Sequence, residues 1–227
     1  MHIGILQCGH TPEPVGEVHG DFDALFKSLF DGHGLTFHTW DVVDLDFPNS
    51  IDDAEGWLLT GSKHGAYEEH AFIPPLETFI RQLHAAQKPT IGICFGHQII
   101  AQALGGRVEK FAGGWAIGRH GYAIEGDDVH LNAWHQDQVT VPPKDAKTVG
   151  QSPFCAHAAL VYGEHIMTVQ PHPEINNDVL ATYLDTRGRD PIFPADKITM
   201  ARNMLGSIGD EPRLATRLAR FLKEARS

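Results

Sequence analysis

Over the first 110 residues, short solid apolar runs alternate with apolar residues at helical spacing. Residues 2–7 read as a strand, followed by a Gly/Pro-rich loop through Gly20. Asp21 is placed to cap a helix in which Phe22, Leu25, Phe26, Leu29 and Phe30 recur on one face. Residues 35–41 and 56–60 read as the next two strands. Pro74-Pro75 opens a helix whose Leu76, Phe79, Ile80 and Leu83 share a stripe. A buried strand over 89–93 runs into a helix over 96–104 that stops at Gly105-Gly106. Repeated strand-helix-strand order predicts an α/β fold with an open, mostly parallel sheet and helices on both faces.

The rhythm then changes. Residues 107–151 read as several short strands with turns at Gly113-Gly114, Gly126-Asp127 and Pro142-Pro143. Residues 158–162 and 165–170 flank Gly163-Glu164 as a hairpin, which makes an antiparallel excursion. From Asn176 the pattern is helical again, ending with Leu214, Leu218 and Leu222 in register. With no internal repeat, low-complexity tract or linker, the expectation is one domain over 1–227, its core spanning about 1–180 and C-terminal helices filling 180–227.

Composition narrows the function classes. Hydrophobic residues make up 42% and charged residues 21% of 227, an ordinary globular balance. Lys plus Arg total 18 against 29 Asp plus Glu, a formal charge of -11, which disfavours nucleic-acid and anionic-membrane partners. No apolar stretch approaches a membrane span, and the start of the chain does not read as a signal peptide. Three cysteines, Cys8, Cys94 and Cys155, are too few and scattered for a disulfide framework. The expectation is a soluble cytoplasmic protein. Fifteen histidines invite a metal, but no His-x-x-x-His or Cys-x-x-Cys grouping occurs, so none is expected, and no cofactor.

The chemistry concentrates in Gly92-Ile93-Cys94-Phe95-Gly96-His97-Gln98. A strand running through Gly-x-Cys-x-Gly into a helix describes a sharp elbow that lifts the cysteine above the carboxyl ends of the strands. The helix N-terminus favours the thiolate, and the backbone N–H of Phe95 is poised to donate to an oxyanion. A nucleophilic cysteine needs a base. His172 emerges from an apolar strand, and Pro173 keeps it extended, so Glu174 projects to the same side and can orient the ring. Cys8 and Cys155 read as core.

These two motifs, in this order, resemble the class I glutamine amidotransferases with a Cys-His-Glu triad. The chain looks most like the stand-alone GMP synthase-like members and the plant γ-glutamyl peptidases. The resemblance covers about residues 1–180 and implies a flavodoxin-like fold. It also implies hydrolysis of the side-chain amide of glutamine, or of a γ-glutamyl compound, through a thioester on Cys94, with His172 and Glu174 completing the triad. By position it assigns a second oxyanion donor to the backbone around Gly61 and Ser62, where the family commonly has two glycines. It gives Gln98 a part in holding the substrate's amino-acid end. Trp134 and His135 fall where the family carries a Ser-His segment bordering the glutamine, with tryptophan replacing the serine.

Other readings compete. A cysteine α/β-hydrolase would draw its acid from Asp137, but leaves the His172-Pro173-Glu174 spacing unexplained. A related enzyme with histidine directly after the elbow cysteine is opposed by Phe95. A glutaminase subunit would pass ammonia to a separate synthetase, a possible partner. A silent regulatory domain would not need all three triad residue types.

Overall fold

The computed structural model describes residues 1–225 and builds them around a nine-stranded sheet flanked by helices. In chain order the elements begin β1 (His2–Leu6), α1 (Glu13–His19), α2 (Phe22–Leu29), β2 (Thr36–Trp40) and β3 (Gly56–Leu59). They continue with α3 (Ile73–Ala85), β4 (Thr90–Ile93), α4 (Phe95–Ala103), β5 (Arg107–Lys110), β6 (Ala116–Ile124) and β7 (Asp127–His135). The chain then forms β8 (Asp137–Val141), β9 (Ala146–Gln151), β10 (Ala159–Tyr162) and β11 (Ile166–Val169). Three helices follow: α5 (Asn177–Thr186), α6 (Ala195–Asn203) and α7 (Glu211–Glu224). None is long and apolar enough to cross a membrane.

Sheet order is β2-β1-β3-β4-β11-β10-β9-β6-β7. The first five strands pair in parallel. The last four pair antiparallel, so the expected excursion extends the same sheet rather than leaving it. A separate ladder, β5-β8, lies beside α4. The inner strands β3, β4 and β11 are buried along their whole length, as parallel strands covered on both faces must be. Alternation divides the core: Leu58, Ile91 and Val169 face α2, α5 and α7, while Trp57 and Leu59 face α3 and α4.

The C-terminal leucines belong to that core. Leu214, Leu218 and Leu222, at helical spacing, are almost completely buried against the sheet. Each removes enough apolar surface from water to contribute about 2 kcal/mol. Arg119 on β6 reaches Glu211 at the start of α7 (3.1 Å) and Asn177 of α5 (2.8 Å), fastening the antiparallel half to both helices.

One expected loop is a helix. The segment before Gly20 contains α1, seven residues with Pro14 in its first turn and Val15 as its buried contact. So short a helix shows no apolar period, and a proline at the first turn costs it no hydrogen bond. Its Pro and Gly content therefore mimicked a loop.

Candidate active site

The parallel strands β1, β3, β4 and β11 end at one edge, and the expected site residues gather there, as open α/β sheets dictate. Cys94 sits between β4 and α4 with φ 53° and ψ -103°, a positive-φ conformation that a non-glycine residue holds only under constraint. The constraint comes from both sides. The Cys94 N–H donates to the Val169 carbonyl (2.9 Å) and the Gly96 N–H to that of Thr60 (3.0 Å). The two elbow glycines are required by close approach. A Cβ on Gly92 would lie 2.7 Å from the Gly96 carbonyl oxygen, and one on Gly96 2.3 Å from that of Leu59.

His172 follows β11 and is clipped to β7 through its own N–H, which donates to the Asn132 carbonyl (2.9 Å). Its Nδ1 lies 2.7 Å from Glu174 Oε1, with the Glu174 side chain fully enclosed. Its Nε2 has no hydrogen-bond partner among the described residues. Burial works against a charged His172, but the charges of Cys94 and Glu174, with the Glu174 hydrogen bond, overcome it, raising the ring well above the ordinary histidine range. A carboxylate in contact with a buried imidazole favours its protonated form.

Gly61 abuts this ring: a Cβ there would come within 3.2 Å of His172 Cε1. The backbone amides of Gly61, Ser62 and Phe95 donate no hydrogen bond within the described residues. The Phe95 ring itself is core, packed on Phe72 with centroids 6.1 Å apart. Gln98 is buried and has spent both amide hydrogens, on the Asp137 carbonyl (2.9 Å) and Gln170 Oε1 (3.2 Å). His135 lies at the same edge. Burial, reinforced by the charge of His172, holds it neutral, pushed down to about 3. Burial raises Asp137, opposed by a hydrogen bond from Tyr67 and the charge of Lys110. That carboxylate is engaged with Tyr67, whereas His172 has Glu174, so the α/β-hydrolase order finds no support. Burial likewise pushes Cys8 and Cys155 up to about 12.

A cleft of about 720 Å³ opens over the elbow, with Cys94, Gln98, Ser62, Trp134, His135 and His172 on its wall. Its far side is aromatic, and beyond the expected Trp134 its members were not foreseen. Trp134 packs against Tyr183 (5.2 Å between centroids) and Phe193 (5.0 Å), and Trp115 packs against Phe193 at 4.7 Å. Arg187 lies 5.6 Å over the Phe193 ring. The connection between α5 and α6 thus forms part of the cleft, a role that no motif in it signals. At the mouth, His64 is held toward the neutral form by burial first and then by the charges of His70 and Lys63.

Comparisons with known proteins bear on the family and the fold. Residues 33–185 match the family model described as glutamine amidotransferase class-I. Gamma-glutamyl peptidase 2 of Arabidopsis thaliana is 28% identical, the alignment covering 98% of this chain and 96% of that protein. A glutamine-hydrolyzing GMP synthase of Bacteroides fragilis is 34% identical over 57% of this chain but only 26% of its own. A crystal structure of a glutamine amidotransferase from Thermotoga maritima superimposes with a TM-score of 0.73 at 22% identity, covering 99% of this chain and 97% of that one. A flavodoxin-like sheet, an elbow at the carboxyl edge and a family match across two thirds of the sequence lead to one conclusion: the chain belongs to the class I glutamine amidotransferase family.

Proposed function

We propose that this protein hydrolyses γ-glutamyl amides, glutamine among them, through a thioester on Cys94. The observation that carries the reading is the buried His172–Glu174 pair, 2.7 Å apart, raised toward the imidazolium beside a cysteine held at positive φ. In the proposed cycle the Cys94 thiolate attacks the side-chain carbonyl of the γ-glutamyl group. The oxyanion accepts hydrogen bonds from the Phe95 N–H and from the backbone at Gly61-Ser62. As the carbon–nitrogen bond breaks, the His172 imidazolium delivers its proton to the departing amine or ammonia. Neutral His172 then takes a proton from water, whose oxygen attacks the thioester. Glutamate leaves, and the thiolate–imidazolium pair is restored.

The rest of the cleft fits this substrate class. With both amide hydrogens committed, Gln98 offers its carbonyl oxygen, an acceptor suited to the substrate's α-ammonium. Lys63, Lys110 and Arg187 lie among the lining residues and supply counter-charge for carboxylates. Pockets of about 300–1,000 Å³ take drug-sized ligands, so the space beyond Cys94 suits an amine larger than ammonia. The aromatic wall of Trp115, Trp134 and Phe193 would face that leaving group.

Free-standing hydrolysis is favoured over service to a synthetase by two observations. The alignment with gamma-glutamyl peptidase 2 runs nearly end to end, whereas the match to GMP synthase covers a quarter of that protein. The C-terminal leucines Leu214, Leu218 and Leu222 pack in the core and offer no apolar face for a synthetase to dock on. The test is steady-state release of glutamate and ammonia or amine by the purified chain, on glutamine and on γ-glutamyl dipeptides. Turnover abolished by Cys94→Ala is expected. Absence of turnover on every one of these substrates would overturn the reading, and recovery on adding a synthetase would establish the subunit role instead.

A further inference from the structure

The loop that leaves β3 carries His64, Glu68 and His70, and folds them onto one another at the mouth of the cleft. The geometry points to a divalent transition-metal site of the zinc class formed by these three side chains.

His70 Nε2 lies 2.8 Å and His64 Nδ1 3.9 Å from the same oxygen, Glu68 Oε2. One ligand atom from each residue falls within 4.8 Å of the others. A tetrahedral zinc ion with bonds of about 2.0–2.1 Å separates its donors by about 3.3 Å, so the observed spacings bracket the requirement and need only rotamer adjustment. Two imidazole nitrogens and one carboxylate oxygen form a donor set suited to zinc and its neighbours, and they leave a coordination position for water.

The ligands are also supported from behind. Both imidazoles lie on the ring of buried Phe72, with centroids 5.7 Å away for His64 and 5.9 Å for His70. The two imidazoles sit 4.0 Å apart, and Glu68 Oε2 accepts the Gly65 N–H at 3.0 Å, closing the turn that brings the carboxylate back to them. The sequence search missed this group because it sought His pairs one helical turn apart. Here a turn in a loop does the gathering.

The placement has a consequence. The His64 N–H donates to Ser62 Oγ (3.2 Å), so the ligands are tied directly to the Gly61-Ser62 turn, and His64 and Glu68 line the cleft. An ion bound here pins its outer wall.

The experiment uses Zn²⁺ and Co²⁺ on the full chain after chelator treatment and desalting. It is run in Cys94→Ala protein, so that the thiolate cannot capture the ion. Calorimetry is expected to give one Zn²⁺ per chain. Adding His64→Ala and His70→Ala should weaken binding by more than the about 10–100-fold that losing a mere supporting partner costs. Cobalt spectra should show nitrogen and oxygen ligation without sulfur charge-transfer bands, in wild type as in Cys94→Ala. Hydrogen exchange should slow in residues 62–72 on adding Zn²⁺, only where both histidines remain. Circular dichroism without metal reports folding of the variant, and the single variant His70→Ala, its side chain partly exposed, provides the same comparison with less disturbance. Zinc binding unchanged by the histidine substitutions or absent from Cys94→Ala, or a sulfur band in the cobalt spectrum of wild type, would overturn the assignment.

Discussion

Replacing Glu174 by Gln removes one charge and almost no volume. The amide keeps a carbonyl oxygen for the His172 Nδ1–H, so the 2.7 Å contact and the ring orientation can persist. What disappears is the negative charge beside an imidazolium that burial otherwise disfavours. Two unit charges about 4 Å apart interact by about 4 kcal/mol at an effective dielectric of about 20, the value suited to such sites. At about 1.4 kcal/mol per decade that corresponds to a loss of about 10³-fold, within the 10²–10⁴-fold span of general acid–base catalysis. The sign of the pH effect follows from the same charge. Glu174 raises His172, so its removal lowers the ring's pKa, and the alkaline limb of the kcat/KM profile moves to lower pH. The assay is kcat/KM for γ-glutamyl dipeptide hydrolysis between pH 5 and 10, with near-ultraviolet dichroism to confirm native packing. A variant within threefold of wild type, with an unmoved alkaline limb, would refute the charge-stabilising role of Glu174.

Iodoacetamide near neutral pH should alkylate Cys94 first, because burial pushes Cys8 and Cys155 up to about 12; peptide mapping after brief exposure checks this, and faster labelling of either contradicts it. Gly96→Ala should cost about 1–3 kcal/mol of stability and most of the activity, since its Cβ would meet the Leu59 carbonyl oxygen at 2.3 Å; urea unfolding and turnover measure the two effects. Burial pushes His97 down to about 3, so the folded state resists a proton that the unfolded chain accepts below about pH 6.5. Stability should therefore be fullest above that pH and decline on acidification toward pH 3; His97→Gln should flatten the slope, read from urea midpoints at pH 4 and 7.

The sequence made the sheet and the elbow legible because both are written locally. Strands such as β3 and β4 are solid apolar runs, and Gly92 and Gly96 flank Cys94 at the positions where backbone approaches leave no room for a Cβ. Pro173 set the spacing of His172 and Glu174, and the two side chains do meet. What escaped notice depended on distant or aperiodic contacts. The helix α1 is too short to show a stripe and begins among prolines. Trp115, Tyr183 and Phe193 gather around Trp134 from separate stretches; resemblance had put only Trp134 at the substrate border, and each of the others alone reads as ordinary core. Gln98, assigned to the substrate by resemblance, turns out to brace Asp137 and Gln170 as well, because a buried amide must satisfy its own donors.

The cleft wall supplied by the connection between α5 and α6 divides the protein into parts with different freedom to change. Cys94, His172 and Glu174 are locked to strands of the sheet, where a shift of one residue would turn every side chain to the opposite face. Arg187, the exposed Ile192 and the buried Phe193 reach the same cleft from a connecting segment that lies outside the matched family region and donates no strand to the sheet. Surface connections of this kind accept substitutions and changes of length that a strand rejects. If the proposed hydrolysis holds, randomising residues 186–194 alone would reshape the wall facing the leaving group while leaving Cys94, His172 and Glu174 untouched. Selection has the same handle: one wall of the cleft can be exchanged while the other stays fixed by the sheet.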